Sequence, residues 1–175
     1  MNPFFKIIVE FETAIRAENR ERDELGAPPV KIGEVILLGQ MSLLANEKIR
    51  SELILAMTND IDAWLKGDST FQSTFKTVIA RNGYRFDDLA TQIWLPKNAT
   101  FHTIYESEIL IVKTVDPISA LISKAVKAKE KNRGLIKQAL TKLGDELAGG
   151  IELNGGDLGY FGYVKGKEKN KDSAR

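Results

Sequence analysis

Val35-Ile36-Leu37-Leu38-Gly39-Gln40-Met41-Ser42-Leu43-Leu44 changes its local structure in the middle. Val35 to Leu38 is a short unbroken apolar run, the pattern of a strand buried on both faces. Gly39 ends it. Met41 to Arg50 then reads as a helix with Leu43 and Leu44 turned inward. The next informative stretch is Met57-Thr58-Asn59-Asp60-Ile61-Asp62-Ala63-Trp64. Side chains two apart in a strand share a face, so the spacing predicts that the carboxylates of Asp60 and Asp62 converge while Ile61 and Ala63 point the other way. Converging carboxylates repel unless a cation lies between them. Mg²⁺ suits such a pair because it takes hard oxygen ligands and leaves positions for phosphates. Taken without its surroundings, Asp-x-Asp is more often a solvated strand end that binds nothing.

Around this centre the chain alternates helix and strand. Residues 3 to about 22 read as a helix, with Asn2 placed to cap it, Pro3 suited to its first turn, and Phe4, Ile7, Ile8, Phe11 and Ile15 at helical spacing. Gly26-Ala27-Pro28-Pro29 breaks it. Ile54 to Met57 is ambiguous between loop and strand. Thr70 to Asn82 predicts an amphipathic helix closed by Asn82-Gly83. Leu89–Leu95, Thr100–Tyr105 and Glu108–Val112 read as strands. Asp116-Pro117 starts a helical segment towards Leu147, with Gly134 marking a break and Gly149-Gly150 its end. The sum is an α+β chain: a small mixed β-sheet flanked by helices, with a C-terminal helical segment from about residue 117. Residues 1–164 read as one domain, and 165–175 as a basic tail too poor in apolar residues to order.

Composition narrows the chemistry. The 175 residues are 43% hydrophobic and 28% charged, enough for a core under an ordinary soluble surface. There is no cysteine, which removes disulfides, thiolate metal sites and cysteine nucleophiles and fits a reducing compartment. His102 is the only histidine, so a histidine-rich metal site is excluded. In a strand with Phe101 inward, it would face solvent. No apolar run approaches a membrane span, and no apolar run follows a basic start, so the expected location is cytoplasmic. Net charge is +1, but 13 of the 25 Lys/Arg lie from Lys113 onward. Seven fall between Lys124 and Lys142 against Glu130 alone, and Lys124, Lys127 and Lys131 share one helical face. Such a face fits a triphosphate, an RNA backbone or plain solvent. Trp64 and Trp94 read first as core residues, and Tyr160-Phe161-Gly162-Tyr163 as a cluster docked on the body.

Together the segments Leu38-Gly39-Gln40-Met41-Ser42-Leu43 and Thr58-Asn59-Asp60-Ile61-Asp62 resemble the nucleotidyltransferase superfamily, the polymerase-β-like fold, near the AbiEii-type bacterial toxins. That superfamily places Gly-Gly or Gly-Ser between a buried strand and a helix, then Asp-x-Asp on the next strand. Ser123-Lys124-Ala125 and Lys131-Asn132 match a helix of the toxin branch. The resemblance implies Asp60 and Asp62 as catalytic Mg²⁺ ligands. It puts Gly39, Gln40, Ser42, Lys124 and Lys127 around a nucleoside triphosphate and implies transfer to a protein or RNA hydroxyl, in a bacterial toxin–antitoxin setting. Gln40 stands where the family has Gly or Ser. The third acid has no clear place, with Asp87, Asp88, Glu106 and Glu108 as candidates. The alternative expectation is therefore a catalytically inactive member that binds a partner protein or RNA. A homo-oligomer stays open.

Overall fold

The computed structural model of the chain describes residues 3–166, and of Pro3 only the backbone. The capping role of Asn2 and the tail from residue 167 onward lie outside the described residues.

The unbroken apolar run becomes β1 (Gly33–Leu37), an inner strand of a four-stranded sheet. It pairs antiparallel with β3 (Ala63–Lys66) and parallel with β6 (Leu110–Val115). β6 in turn pairs antiparallel with β5 (Phe101–Glu106). The order is β3-β1-β6-β5, a mixed sheet with β3 and β5 at its edges. Two short strands, β2 (Asp60–Ile61) and β4 (Arg85–Phe86), form a separate parallel pair. The architecture is α+β, as expected.

Both faces of β1 are buried, which explains why its sequence does not alternate with polar residues. Val35 and Leu37 pack with Phe4, Ile7 and Phe11 of α1 (Pro3–Glu24) and with Phe71 and Phe75 of α4 (Ser69–Arg81). Ile36 and Leu38 pack on the other side with Leu121 and Ala125 of α5 (Pro117–Lys127) and with Ile136 and Leu140 of α6 (Arg133–Leu153). The sheet is thus sandwiched between two helical layers. Phe71 is the aromatic anchor of the first core: its ring meets Phe11 edge-on at 4.9 Å and lies over Gly33 and Gly67. No helix among the described residues is long and apolar enough to cross a membrane.

Several boundaries differ from the sequence expectation, each for a local reason. The helix expected over Met41–Arg50 divides into α2 (Gly39–Ala45) and α3 (Glu47–Glu52). Asn46 ends the first and caps the second, its side chain accepting from the Ile49 N–H at 3.0 Å. Leu89–Leu95 is not a strand. The Asp87 side chain accepts from the Leu89 N–H at 2.8 Å and starts a 3₁₀ turn over Asp88–Gln92. In the C-terminal half the break falls at residues 128–132, and Gly134 lies inside the first turn of α6. Gly144, with φ +61° and ψ −138°, kinks α6 instead. Gly149 and Gly150 stay helical, and Gly150 lets Ile122 of α5 approach: a Cβ there would stand 2.5 Å from the Ile122 Cδ1.

Candidate functional site

Asp60 and Asp62 do not share one strand. Asp60 belongs to β2, β3 begins at Ala63, and Asp62 sits at the joint between the two small ladders. Its carbonyl accepts from the Leu38 N–H at 2.8 Å, which ties the joint to the end of β1. Its carboxylate turns onto Gly39. A Cβ on residue 39 would lie 2.1 Å from the Asp62 Oδ2, and φ of Gly39 is +53°, in the left-handed region. Glycine is required here twice, by conformation and by space.

Asp87 completes the centre. It follows β4, and its N–H donates to the Ile61 carbonyl at 3.1 Å, so the β2–β4 ladder carries it alongside Asp62. Asp87 is near enough for its charge to act on Asp62. The sequence left Asp87 among four candidate acids. The signal that singles it out is the short Arg85-Phe86 strand before it, too brief to stand out from a single sequence.

Burial raises the Asp62 carboxyl above the ordinary aspartate range. The neighbouring Asp87 charge adds to this, Lys124 opposes it, and the more distant Asp60 charge adds again. Lys124 is lowered, first by its own burial and also by Lys131, while Asp62 pulls it back up. Of the residues expected from the sequence to serve one site, Gly39 and Asp62 are in contact, and Lys124 and the added Asp87 are near enough to act on the Asp62 charge.

The remaining expected site residues are placed differently. The Asp60 Oδ1 accepts from Arg85 Nε at 2.9 Å and pairs with its Nη2 at 2.8 Å. Gln40 donates its side-chain amide to the Ala56 carbonyl at 2.8 Å, pinning the loop before Asp60. Ser42 is fully buried and donates to the Gly39 carbonyl at 2.9 Å, so it shapes the turn from within. Lys127 lies over the ring of Trp94, 5.2 Å from its centroid. That ring is half-buried and faces a cavity of about 510 Å³ that Lys124, Lys127 and Lys131 also line. Trp94 thus packs against the second core, as expected, and also forms a wall of the basic cavity. Trp64 is held by its indole N–H on the Ala90 carbonyl at 2.9 Å. Phe161 is buried, as the sequence suggested; His102 is exposed, but Phe101 is exposed too, so the strand has no inward face at Phe101.

Among the described residues no three His, Asp or Glu side chains converge closely enough to form a metal cage. The convergent acids are a pair. A pair fits Mg²⁺, which is commonly held by one or two carboxylates plus substrate phosphates and keeps several waters. The Asp87 charge raises the Asp62 carboxyl, and a cation between the two would relieve that repulsion.

The Asp62 shift has a consequence for stability. A raised carboxyl means that the folded chain holds the Asp62 proton more tightly than the unfolded chain does. Ionised Asp62 then costs stability at neutral pH, and stability falls as pH rises from the ordinary aspartate value through the raised one. Asp62→Asn is expected to raise the melting temperature at about pH 7, with the gain shrinking as pH is lowered towards about 4. Thermal melts across that range check it; a variant less stable than wild type at neutral pH would contradict the assignment.

No family model, curated protein or solved structure matches the chain, so nothing in these comparisons identifies a nucleotidyltransferase relationship.

Proposed function

We propose that the chain binds a nucleoside triphosphate with Mg²⁺ and transfers its nucleotide to a hydroxyl of a macromolecular acceptor. One observation carries this reading: the Asp62 carboxylate lies against the Cβ-less Gly39, within reach of the charges of Asp87 and of Lys124, which stands on the wall of a basic, Trp94-lined cavity. Asp62 and Asp87 would hold the cation. Bound there, Mg²⁺ would neutralise phosphate charge and favour attack by a hydroxyl on the α-phosphorus. Gly39 leaves room for a phosphate oxygen to approach the backbone. Lys124 and Lys127 meet the charge that builds on the departing pyrophosphate, and Lys124 does so from a half-buried position where charge is poorly screened. The Trp94 face offers a stacking surface for the base.

Incubation with each α-phosphate-labelled nucleoside triphosphate, Mg²⁺ and total bacterial RNA or protein tests the reaction. The expected result is label on an acceptor, with loss of about 100-fold or more in Asp62→Ala/Asp87→Ala, the scale of removing groups that orient and charge-stabilise the reacting atoms. Absence of label from a chain that still binds nucleotide would favour the second reading, a catalytically inactive protein of the same architecture that binds a partner. The observation on that side is Asp60, whose carboxylate is held by Arg85.

A further inference from the structure

Lysine and arginine are concentrated along the α5–α6 junction, where seven fall between Lys124 and Lys142. Eight ion pairs are formed by described residues, and none involves Lys124, Lys127, Lys129, Lys131, Arg133, Lys137 or Lys142. The chain gathers these cations in space as well as in sequence. Lys131 is near enough to Lys124 to disfavour its charge. Lys129 Nζ lies 4.7 Å from the centre of the Tyr160 ring, and the Arg133 guanidinium 5.2 Å from the same ring. Lys137 follows Arg133 by one helical turn on the same face of α6. Two cations crowded on one ring with no carboxylate paired to either repel each other, a cost that a bound polyanion removes.

The geometry also supplies a platform. Tyr160 is half-exposed and braced edge-on by the buried Phe161, 5.2 Å away, so its ring is fixed at the surface. The flexible Lys129 and Arg133 side chains lie over the ring, and a bound strand would draw them off to its phosphates as a base takes the stacked position. An acidic peptide would use the charges but not the ring. The track meets the proposed nucleotide cavity at Lys131 and Asn132, which line it. Asn132 donates its amide to the Ala128 carbonyl at 2.8 Å, and its side-chain oxygen accepts no hydrogen bond from a described residue. That oxygen is an acceptor of the kind that reads a ribose 2′-OH.

We infer that the α5–α6 junction, with Lys129, Lys131, Arg133 and Lys137 around Tyr160, is the docking track for single-stranded RNA, the acceptor class for the reaction proposed above. The inference names the acceptor and so rests on that reading, but the binding it requires is measured without nucleotide.

The test is fluorescence anisotropy of the full chain with a labelled U-rich RNA dodecamer. Four phosphate contacts on a single strand predict an affinity that falls about 50-fold between about 50 mM and about 200 mM salt. Lys129→Ala/Arg133→Ala/Lys137→Ala is expected to weaken binding at least about tenfold and flatten the salt dependence. Tyr160→Leu is expected to weaken it about tenfold, while Tyr160→Phe, which keeps the ring, binds as wild type. Melting temperatures near wild type for these surface variants separate lost contacts from lost folding. No RNA binding by a chain that binds nucleotide would overturn the track and leave the nucleotide site standing. RNA binding by a chain that binds no nucleotide would keep the track and remove the transferase reading. Equal affinity for the DNA of the same sequence would overturn the assignment to RNA, and equal competition by polyglutamate would reduce the track to a surface for any polyanion.

Discussion

Gly39→Ala is expected to cost the chain about 100-fold or more in nucleotide affinity, the scale on which a displacement of about an ångström acts at a preorganised site. Two effects act together. Alanine at φ +53° carries a backbone penalty of about 1–2 kcal/mol. Its Cβ would also fall 2.1 Å from the Asp62 Oδ2, so the carboxylate must swing away from its place beside Asp87. Stability should fall by about the backbone penalty alone, because the Asp62 side chain is short, half-exposed and free to turn. Gly149→Ala is the control. It lies inside α6 with nothing within 4 Å of an added Cβ, and it should stabilise the fold by about 0.5–1 kcal/mol. Titration of nucleotide into both variants, with denaturant melts of each, separates site geometry from helix propensity. Gly39→Ala with wild-type affinity would show that the glycine serves only the turn.

Phe71→Ala is expected to have the largest effect on folding. The ring is fully buried, meets Phe11 edge-on, and fills the space that Gly33 and Gly67 leave open. Truncating a buried phenylalanine typically costs about 3–5 kcal/mol, part lost transfer energy and part cavity. Against a total stability of about 5–15 kcal/mol for a domain, that is a large fraction. The melting temperature should fall by about 10 °C, at about 2–4 °C per kcal/mol for a chain of this size. Gly33→Ala probes the same contact from the other side, since its Cβ would stand 2.5 Å from the Phe71 ring. It should cost about 1–3 kcal/mol through overpacking. A loss below about 1 kcal/mol in Phe71→Ala would mean that the first core can collapse around the gap.

The fold was legible where one periodicity ran long enough to dominate. The apolar stripe of Phe4, Ile7, Phe11 and Ile15 became α1, and the stripe of Phe71, Phe75, Val78 and Ile79 became α4. Asp116-Pro117 opened α5 as a cap followed by proline should, with the Asp116 side chain accepting from the Ser119 N–H at 2.8 Å. What failed was set by contacts that no local pattern encodes. Leu89–Leu95 is apolar enough for a strand, yet Asp87 caps a turn there and Leu89 is exposed. The two carboxylates of Asp-x-Asp were read as one strand face, but the chain crosses from one ladder to another between them. That crossing hands Asp60 to Arg85 and leaves Asp62 for Asp87. Spacing brought Asp62 into view and the resemblance brought Gly39 and Lys124, while the partner acid depended on a two-residue strand pairing. Ser42 shows the converse: a hydroxyl at the right spacing that the fold spends inside the turn.

The central claim is that Asp62 and Asp87 mark a nucleotide site, and calorimetric titration tests it most directly. ATP, GTP, CTP and UTP are each titrated into the chain with and without Mg²⁺, and into Asp62→Ala/Asp87→Ala of confirmed folding. The expected result is binding of at least one nucleotide that requires the cation and is lost in the double variant. Absence of binding by the folded wild type to all four, or binding unchanged in the double variant, would contradict the claim.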